Sequence, residues 1–356
     1  MNKILTIVGA RPQFVKAAVV SKALSKVNIQ EEIIHTGQHY DYNMSTVFWK
    51  ELNIPAPSVN LEIGSGQHGS QTGQMMEQIE KIILSAELKP QALLVYGDTN
   101  STLAGALVAS KLNIPILHIE AGLRSFNKEM PEEINRILTD HVSDLLFCSS
   151  DTGVKQLKKE GLTKGVHNCG DVMYDAVKIF SKIAEKKIDL SNITSLKSGS
   201  YSLATIHRPS NTDTPENIKS IVEAFSDIKQ PIIWPVHPRN KTRIAQLTVP
   251  QNLILIDPVS YLEMLLLIKH SEKVLTDSGG LQKEAYWLQK QCITLRNETE
   301  WIETLNGDWN TLVGSNKIKI LRAFNDSPKS NWVPLYGNGK ASEKIASQIL
   351  DFLSQV

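Results

Sequence analysis

Short runs of apolar and β-branched residues alternate along this chain with longer amphipathic stretches. In the first half the runs cover residues 3–8, 31–35, 92–96, 114–119 and 145–148. Strands that are apolar throughout and separated by helices are typical of a parallel sheet covered on both faces. The pattern therefore predicts a doubly wound α/β domain.

The second half repeats this alternation after a polar stretch at residues 185–201. Its apolar runs cover residues 201–206, 232–236, 253–256, 273–276 and 291–294, and residues 342–356 have helical spacing. We therefore predict two Rossmann-like domains followed by a terminal helix. The N-terminal domain covers residues 1–172 and the C-terminal domain covers residues 173–341.

Composition and charge narrow the class of protein. The 356 residues are 41% hydrophobic and 21% charged, which suits two globular cores. Lys and Arg total 38 against 37 for Asp and Glu, so the net charge of +1 does not indicate a nucleic-acid partner. No apolar run reaches about 18 residues, so no membrane span or membrane partner is predicted. Three cysteines cannot build a disulfide framework, and we expect a cytoplasmic protein.

The clearest phosphate signal lies at residues 276–285, where a strand ends and a helix begins. Ser278 can cap this helix, while Gly279 and Gly280 let a ligand approach the free N–H groups at its positive end. Glu284 lies about one turn further, where a carboxylate can accept hydrogen bonds from a ribose diol. The alternative is an ordinary Ser-Gly-Gly cap with a solvated glutamate.

The first strand-to-helix turn has a different composition. It lacks the G-x-G-x-x-G pattern of dinucleotide-binding proteins but places Arg11 at the strand end, where a guanidinium suits bidentate phosphate binding. Lys16 lies one helical turn further, and both side chains could instead be surface cations. The short apolar start before Arg11 favours a first strand over a signal peptide.

Carboxylates follow the predicted strands of the first half. Asp98 comes after the run 92–96, Glu120 follows the run 114–119, and Glu132 lies twelve residues beyond Glu120. Strand ends of a parallel sheet share one edge, so these groups suit proton transfer in a common crevice. Asp98 could also be a helix cap and Glu132 a first-turn helix acid, whereas Glu120 is harder to explain structurally.

Histidines mark two strand ends of the second half, at His207-Arg208 and His237-Pro238. Each alone is more often structural, but together they favour ligand contact. The nine histidines show no metal-ligand spacing such as H-E-x-x-H, and the cysteines are scattered, so we expect no metal.

Several of these motifs occur together in a fixed order. They are Gly9-Ala10-Arg11-Pro12-Gln13, Thr36-Gly37-Gln38-His39, Gly97-Asp98-Thr99, His118-Ile119-Glu120-Ala121-Gly122, Pro131-Glu132-Glu133, His207-Arg208, His237-Pro238 and Asp277-Ser278-Gly279-Gly280. Over nearly the whole chain they resemble the motifs of the non-hydrolysing UDP-N-acetylglucosamine 2-epimerases.

The resemblance implies a GT-B type architecture, with two Rossmann-like domains, an interdomain cleft and a terminal helix that packs back on the first domain. It also implies a homodimer that converts UDP-GlcNAc to UDP-ManNAc without NAD, a metal or any other cofactor. In that reaction UDP is eliminated as the C2 proton leaves, and UDP adds back to the bound 2-acetamidoglucal while C2 is reprotonated from the opposite face.

The family's functional residues map onto matching positions of this chain. By resemblance, the catalytic set is Asp98, Glu120, Glu132 and His207, with Lys16 near them. The UDP-binding set is Arg11, His237, Ser278, Gly279, Gly280 and Glu284.

Two motifs depart from the family pattern. The usual His-Arg-Arg-Glu-Asn is His207-Arg208-Pro209-Ser210-Asn211 here, which puts allosteric activation by substrate in doubt, and the usual Thr-Glu-Arg-Pro-Glu is Thr299-Glu300-Trp301-Ile302-Glu303. The alternative substrate is UDP-2,3-diacetamido-2,3-dideoxy-glucuronic acid, whose carboxylate would need a cation such as Arg124, Arg136 or Arg208. A GT-B glycosyltransferase and an inactive UDP-sugar-binding protein are alternatives of another class, and the acidic residues of the first half favour the epimerase.

Overall fold

The chain folds into two compact units, each built on one parallel sheet. The computed structural model describes residues 2–38, 54–236, 244 and 248–355. One unit comprises Met1–Ala176 with Tyr336–Val356, and the other comprises Val177–Leu335. The predicted α/β class with two Rossmann-like, doubly wound domains is confirmed.

The first unit has seven strands in the order β3-β2-β1-β4-β5-β6-β7. Its sheet order reverses at β1 and β4, which is the position where open α/β sheets bind ligands. The strands are β1 (Lys3–Val8), β2 (Gln30–His35), β3 (Val59–Asn60), β4 (Ala92–Tyr96), β5 (Ile116–Ala121), β6 (Leu145–Cys148) and β7 (Val166–Asn168). The helices are α1 (Arg11–Lys26), α2 (His68–Ser85), α3 (Asn100–Lys111), α4 (Pro131–Val142), α5 (Asp151–Lys159) and, at the end of the chain, α12 (Ala341–Leu353), while α6 (Val172–Lys187) begins in this unit and ends in the other.

The second unit has six strands in the order β10-β9-β8-β11-β12-β13, with the reversal at β8 and β11. The strands are β8 (Ser202–Thr205), β9 (Ile232–Pro235), β10 (Leu253–Ile256), β11 (Lys273–Thr276), β12 (Gln291–Thr294) and β13 (Asn310–Leu312). The helices are α7 (Pro209–Thr212), α8 (Pro215–Ser226), α9 (Tyr261–His270), α10 (Gly279–Trp287) and α11 (Lys317–Asn325), and two 3₁₀ segments span Leu190–Asn192 and Ile302–Asp308.

The apolar runs become strands because both sheet faces are covered. All residues of β4 and β6 are buried, and only Lys3 of β1 is not fully buried. Strand β5 starts and ends two residues later than the apolar run 114–119, so Glu120 belongs to the strand's last residues. Within the described part of the chain, no helix is both long and apolar enough to cross a membrane.

The terminal helix α12 packs against α1 of the first unit. Its first amides are capped by Asp175 of α6, whose carboxylate accepts from Ala341 N at 3.0 Å, Ser342 N at 2.7 Å and Ser342 Oγ at 2.6 Å. A helix N-terminus leaves such N–H groups without intrahelical partners, so a buried carboxylate is an effective cap.

We expect Asp175→Ala to destabilise the first unit by about 2–3 kcal/mol, because three buried donors lose their acceptor. Hydrogen exchange should accelerate selectively in α12, and calorimetry should show the loss. Asp175→Asn, which keeps one acceptor oxygen, should lose less. The control is Glu343→Ala, since Glu343 is 56% exposed and only pairs with Lys26 at 3.5 Å. Unchanged exchange in α12 of the alanine variant would contradict this account.

Candidate functional site

The turn between β1 and α1 is closed by a side chain of its own helix. Oε1 of Gln13 accepts hydrogen bonds from Gly9 N at 2.7 Å and Ala10 N at 3.0 Å. Nε2 of the same amide donates to the Tyr96 carbonyl at 2.8 Å. Gln13 therefore uses the backbone donors with which such a turn could bind a phosphate, and it joins this turn to the end of β4.

Four charged side chains meet at the carboxyl ends of β1, β4 and β5, namely Lys16, Asp98, Glu120 and Arg136. We call them the acidic cluster after its two carboxyl groups. Lys16 Nζ forms an ion pair with Glu120 Oε2, and both side chains are nearly buried, at 8% and 11% exposure. A Cβ at Gly97, the residue before Asp98, would lie 3.2 Å from Glu120 Oε2 and 3.6 Å from Lys16 Nζ. The Lys16–Glu120 pair therefore lies directly over the β4 turn.

Glu120 adopts an unusual backbone conformation. Its φ is +75°, in the left-handed region, and the register between β5 and β6 shifts between Ile119 and Ala121. A bulge of this kind re-aims one side chain at a strand end, and a non-glycine residue in this region costs of order 1–3 kcal/mol. The fold therefore holds Glu120 in a conformation that the residue alone would not choose.

Asp98 has a different charge environment from Glu120. Arg136 donates through Nη2 to Asp98 Oδ2, and through Nη1 to Glu133 Oε2 at 2.6 Å. Although 30% of the Asp98 side chain is exposed, desolvation is the largest influence on it and raises its pKa. The charge of Arg136 opposes this rise, and the nearby charge of Glu120 adds to it.

Glu133 supports this cluster structurally, a role that its sequence motif did not predict. It is 1% exposed and accepts from Ser125 N at 2.8 Å, from Ser125 Oγ at 2.9 Å and from Phe126 N at 2.9 Å. Burial alone would raise the pKa of Glu133, but these bonds and Arg136 lower it below the ordinary value. Glu133 thus stays ionised and fixes Arg136 beside Asp98.

The cluster contains two carboxyl groups that are held differently. Lys16 stabilises the ionised form of Glu120, whereas desolvation favours the protonated form of Asp98. Glu120 is therefore suited to accept a proton, and Asp98 is suited to donate one. The geometry therefore supports acid–base chemistry with two groups.

Two further residues proposed for this unit, Glu132 and Arg11, lie in the first turns of helices. Glu132 is exposed on the first turn of α4, and within the described chain it forms no ion pair. Arg11 is the first residue of α1, but its side chain is not described. His237, proposed for the second unit, lies outside the described residues.

In the second unit, α10 begins at the end of β11 with Ser278 as its cap. Ser278 Oγ accepts from Leu281 N at 3.4 Å, and the amides of Gly279 and Gly280 belong to the first turn, which lacks intrahelical acceptors. Glu284 lies one turn further along α10 and is 6% exposed. The structure therefore brings Ser278, Gly279, Gly280 and Glu284 onto one helix end.

The two glycines are not required by the fold. A Cβ on Gly279 would meet its nearest atom at 3.7 Å, a Cβ on Gly280 would meet nothing within 4 Å, and neither residue has a positive φ. Glycine in a helix without such a reason is destabilising, by roughly 0.5–1 kcal/mol relative to alanine. An approaching ligand explains the missing side chains, which supports an anion site at this helix end.

His207 is oriented by Asp277, a residue that sequence reasoning placed at a strand end without giving it a role. Asp277 is fully buried, and its carboxylate accepts from His207 N at 3.0 Å and Arg208 N at 3.0 Å. Nδ1 of His207 lies 3.2 Å from Asp277 Oδ1, and the imidazole is 42% exposed. The carboxylate therefore favours the proton on Nδ1 of His207. Because β8 and β11 are neighbours, His207 and Ser278 follow adjacent strand ends.

A salt bridge lies beside the start of α10. Arg296 pairs with Glu300 through both terminal nitrogens, at 3.1 Å and 3.2 Å, and a Cβ on Gly279 would lie 3.8 Å from both Arg296 Nη1 and Glu300 Oε2. Burial would raise the pKa of Glu300, but Arg296 and the charge of Arg208 lower it overall. No group of His, Cys, Asp and Glu suited to a metal occurs among the residues described.

One family model matches most of the chain. The model of the UDP-N-acetylglucosamine 2-epimerase family matches residues 22–350. A UDP-N-acetylglucosamine 2-epimerase homolog of Methanococcus maripaludis is 52% identical over 96% of this chain and 98% of its own length. The UDP-2,3-diacetamido-2,3-dideoxy-D-glucuronate 2-epimerase of Pseudomonas aeruginosa is 49% identical over 98% of this chain and 99% of its own.

A solved structure has the same fold over the whole chain. The UDP-GlcNAc 2-epimerase of Methanocaldococcus jannaschii, crystallised with UDP-GlcNAc and UDP, superposes with a TM-score of 0.88 at 44% identity. The match covers 98% of this chain and 99% of that one.

We expect Gly280→Ala to separate stability from binding. The added methyl group fits the empty space and should leave the fold unchanged or more stable by up to about 1 kcal/mol, while it obstructs a phosphate at the helix end. Titration calorimetry with UDP should therefore show weaker binding. The control is Gly73→Ala in α2, where a Cβ also meets nothing within 4 Å and UDP affinity should not change. Equal UDP affinity for Gly280→Ala and the native protein would argue against the site.

Proposed function

Because the chain belongs to the UDP-N-acetylglucosamine 2-epimerase family, we propose that it inverts C2 of a UDP-linked N-acetylated hexose, with UDP-GlcNAc as the first candidate. The observation that carries this proposal is the pair Asp98 and Glu120, two carboxyl groups at neighbouring strand ends that are held in unlike charge environments. A glycosyltransferase or an inactive binding protein has no need for such a pair.

The proposed reaction starts with elimination. The C2–H bond breaks and its electrons form a C1=C2 double bond, while the C1–O bond breaks and its electron pair leaves with UDP. The reverse addition restores the C1–O bond and puts a proton on the opposite face of C2. No redox step occurs, so the chemistry needs two proton-transfer groups and stabilisation of the leaving diphosphate.

The residues of the acidic cluster fit the proton transfers. Glu120, ionised beside Lys16, takes the C2 proton, and Asp98, whose desolvation favours its acid form, returns a proton to the other face. After one turnover the two groups have exchanged protonation states, which prepares the enzyme for the reverse direction. Arg136 then stabilises Asp98 as a carboxylate.

The residues of the second unit fit the diphosphate. The first-turn amides of Gly279 and Gly280 and the positive end of α10 point to an anion, and the imidazole of His207 lies at the adjacent strand end. Glu284 on the same helix serves the ribose in this proposal. Arg11 and His237 remain proposed members of the UDP site by resemblance, and Glu132 remains a proposed catalytic residue on the same ground.

A uronic acid substrate is the second candidate. It is favoured by the 49% identical relative named for UDP-2,3-diacetamido-2,3-dideoxy-D-glucuronate, and by the state of three arginines. Arg124 is bound by Asp140 and Glu160, and Arg136 by Asp98 and Glu133. Arg208 is the one of the three whose guanidinium is not committed to a described salt bridge, so it is our candidate for a sugar carboxylate.

Two further expectations belong to this proposal. A cytoplasmic location is supported by the state of the three cysteines, which are buried free thiols: Cys148, Cys169 and Cys292. A homodimer, implied by the family resemblance, is supported by the apolar side chains of Ile134 and Leu138, which are 39% and 43% exposed one turn apart on α4.

We expect solvent deuterium at C2 of the product when a panel of UDP-sugars is incubated in D₂O and followed by NMR. Deuterium enters because the proton that reaches the opposite face of C2 comes from Asp98, whose carboxyl proton exchanges with solvent, and not from the substrate. The panel pairs UDP-GlcNAc with the 2,3-diacetamido uronate, and Arg208→Met should impair only the substrate that carries the carboxylate. Turnover without deuterium at C2 would exclude the proposed reaction.

We expect Glu120→Gln to lower kcat by about 10²–10⁴-fold, because an amide cannot accept the C2 proton. The affinity for UDP should stay the same. Quenched-flow or NMR rates and UDP titration measure the two effects. The control is Glu129→Gln, an exposed glutamate that precedes α4. Near-normal turnover in the Glu120 variant would remove this residue from the mechanism.

A further inference from the structure

A buried histidine beside the acidic cluster makes two hydrogen bonds that a neutral imidazole cannot make together. His118 is fully buried in β5. Its Nδ1 lies 2.8 Å from Asp140 Oδ1, and its Nε2 lies 2.8 Å from the carbonyl oxygen of Gly97. A carboxylate and a carbonyl oxygen only accept, and a neutral imidazole carries one N–H. Both bonds therefore form only when each ring nitrogen is protonated.

Asp140 is an ionised partner in this arrangement. Its other oxygen, Oδ2, accepts from Arg124 Nη1 at 2.7 Å and from Gly122 N at 3.1 Å, so all its contacts come from donors. Burial alone would raise the pKa of Asp140, but the bonds and charges of His118 and Arg124 hold it below the ordinary value.

A charged imidazole also fits the charges that follow it in the network. Arg124 is 2% exposed and donates to Glu160 at 2.8 Å and 2.6 Å, so the contacts run from His118 through Asp140 and Arg124 to Glu160. With a charged ring, two cations face two anions, and Glu160 at the outer end is 22% exposed and also lies near the charge of His141. The buried Cys148 thiol near Asp140 stays neutral, because burial raises its pKa to about 12.

This network holds the backbone on both sides of the proposed acid–base pair. The carbonyl bound by His118 belongs to Gly97, the residue before Asp98. The amide bound by Asp140 belongs to Gly122, two residues after Glu120, whose φ is +75°. A single buried ring and its carboxylate therefore connect the turn that carries Asp98 with the bulge that carries Glu120.

We propose that His118, with a proton on each ring nitrogen, is a positioning residue that fixes Asp98 and Glu120 relative to each other through Gly97 and Asp140. It is not itself an acid or base in the reaction, since both ring protons are used in structural bonds. The kinetic part of this inference rests on the proposed function, whereas the charge of the ring does not.

The charge is tested by ¹⁵N NMR of the histidine rings in the full-length enzyme, with the His118 signals assigned from their loss in His118→Gln. We expect both ring nitrogens of His118 to carry a proton at neutral pH, because each has an acceptor within 2.8 Å. His35 is the internal comparison, because burial lowers its pKa and its ring should be neutral above about pH 7. A neutral His118 ring at neutral pH would overturn the proposal.

The positioning role is tested by kinetics. We expect His118→Gln to lower kcat about 100-fold, as a small displacement of reacting groups does, with UDP affinity within about threefold of native. His141→Gln, at an exposed histidine of α4, is the control and should keep native kcat. Native kcat in a folded His118→Gln enzyme would overturn the role.

Asp140→Asn is the second variant, in case the first does not fold. Without the carboxylate, the His118 ring should lose a proton near neutral pH and kcat should fall with it. A ring that stays doubly protonated in this variant would contradict the network. If the native enzyme shows no exchange at C2, the proposed function fails, but the NMR result still decides whether His118 is a cation.

Discussion

The first unit depends on the pairing of charges that its fold buries at the carboxyl ends of three strands. An isolated buried ion costs several kcal/mol, and removing one partner of a buried pair costs about 3–5 kcal/mol. Lys16 with Glu120 and Arg136 with Asp98 and Glu133 meet this requirement, and each pair joins residues from different elements. Both pairs favour the ionised carboxylates, whereas desolvation and the charge of Glu120 raise the pKa of Asp98 and make its protonation preference differ from that of Glu120. The contacts that keep these charges paired thus also surround the groups suited to acid–base chemistry.

The two units use the same sheet topology in opposite ways. Each sheet reverses its strand order beside a strand-to-helix turn, and in each the backbone amides of that edge can bind an anion. In the first unit Gln13 occupies the amides of Gly9 and Ala10. In the second unit the helix end at Gly279 and Gly280 stays open, and both glycines lack a packing reason. At this edge one unit therefore holds acidic and basic side chains, and the other keeps helix amides that suit an anion.

Local patterns predicted the fold and most of the candidate residues, whereas long-range contacts could not be predicted. Continuous apolar runs gave the buried strands, but β3, β7 and β13 have two or three residues each, too few to show a pattern. The run 114–119 predicted β5 two residues too early, because the bulge at Glu120 breaks the apolar pattern before the strand ends. Strand-end logic found Asp98, Glu120, Lys16 and Ser278. It missed Asp277, Gln13 and His118 as organising residues, because their partners lie 70, 83 and 22 positions away.

The departure at Trp301 has a physical explanation in the second unit. Trp301 stands where the family pattern has arginine. Lys283 Nζ lies 3.5 Å from the ring centroid of Trp301 and 5.3 Å from the ring centroid of Trp287. An arginine there would repel Lys283, whereas an aromatic face attracts it. Trp301 Nε1 lies 3.7 Å from the Cβ position of Gly279, so the change affects the edge of the anion site. It removes one positive charge from that edge and leaves Arg296 paired with Glu300. Arg208, whose charge also acts on Glu300, forms no salt bridge with the other described residues and adds positive charge near this edge.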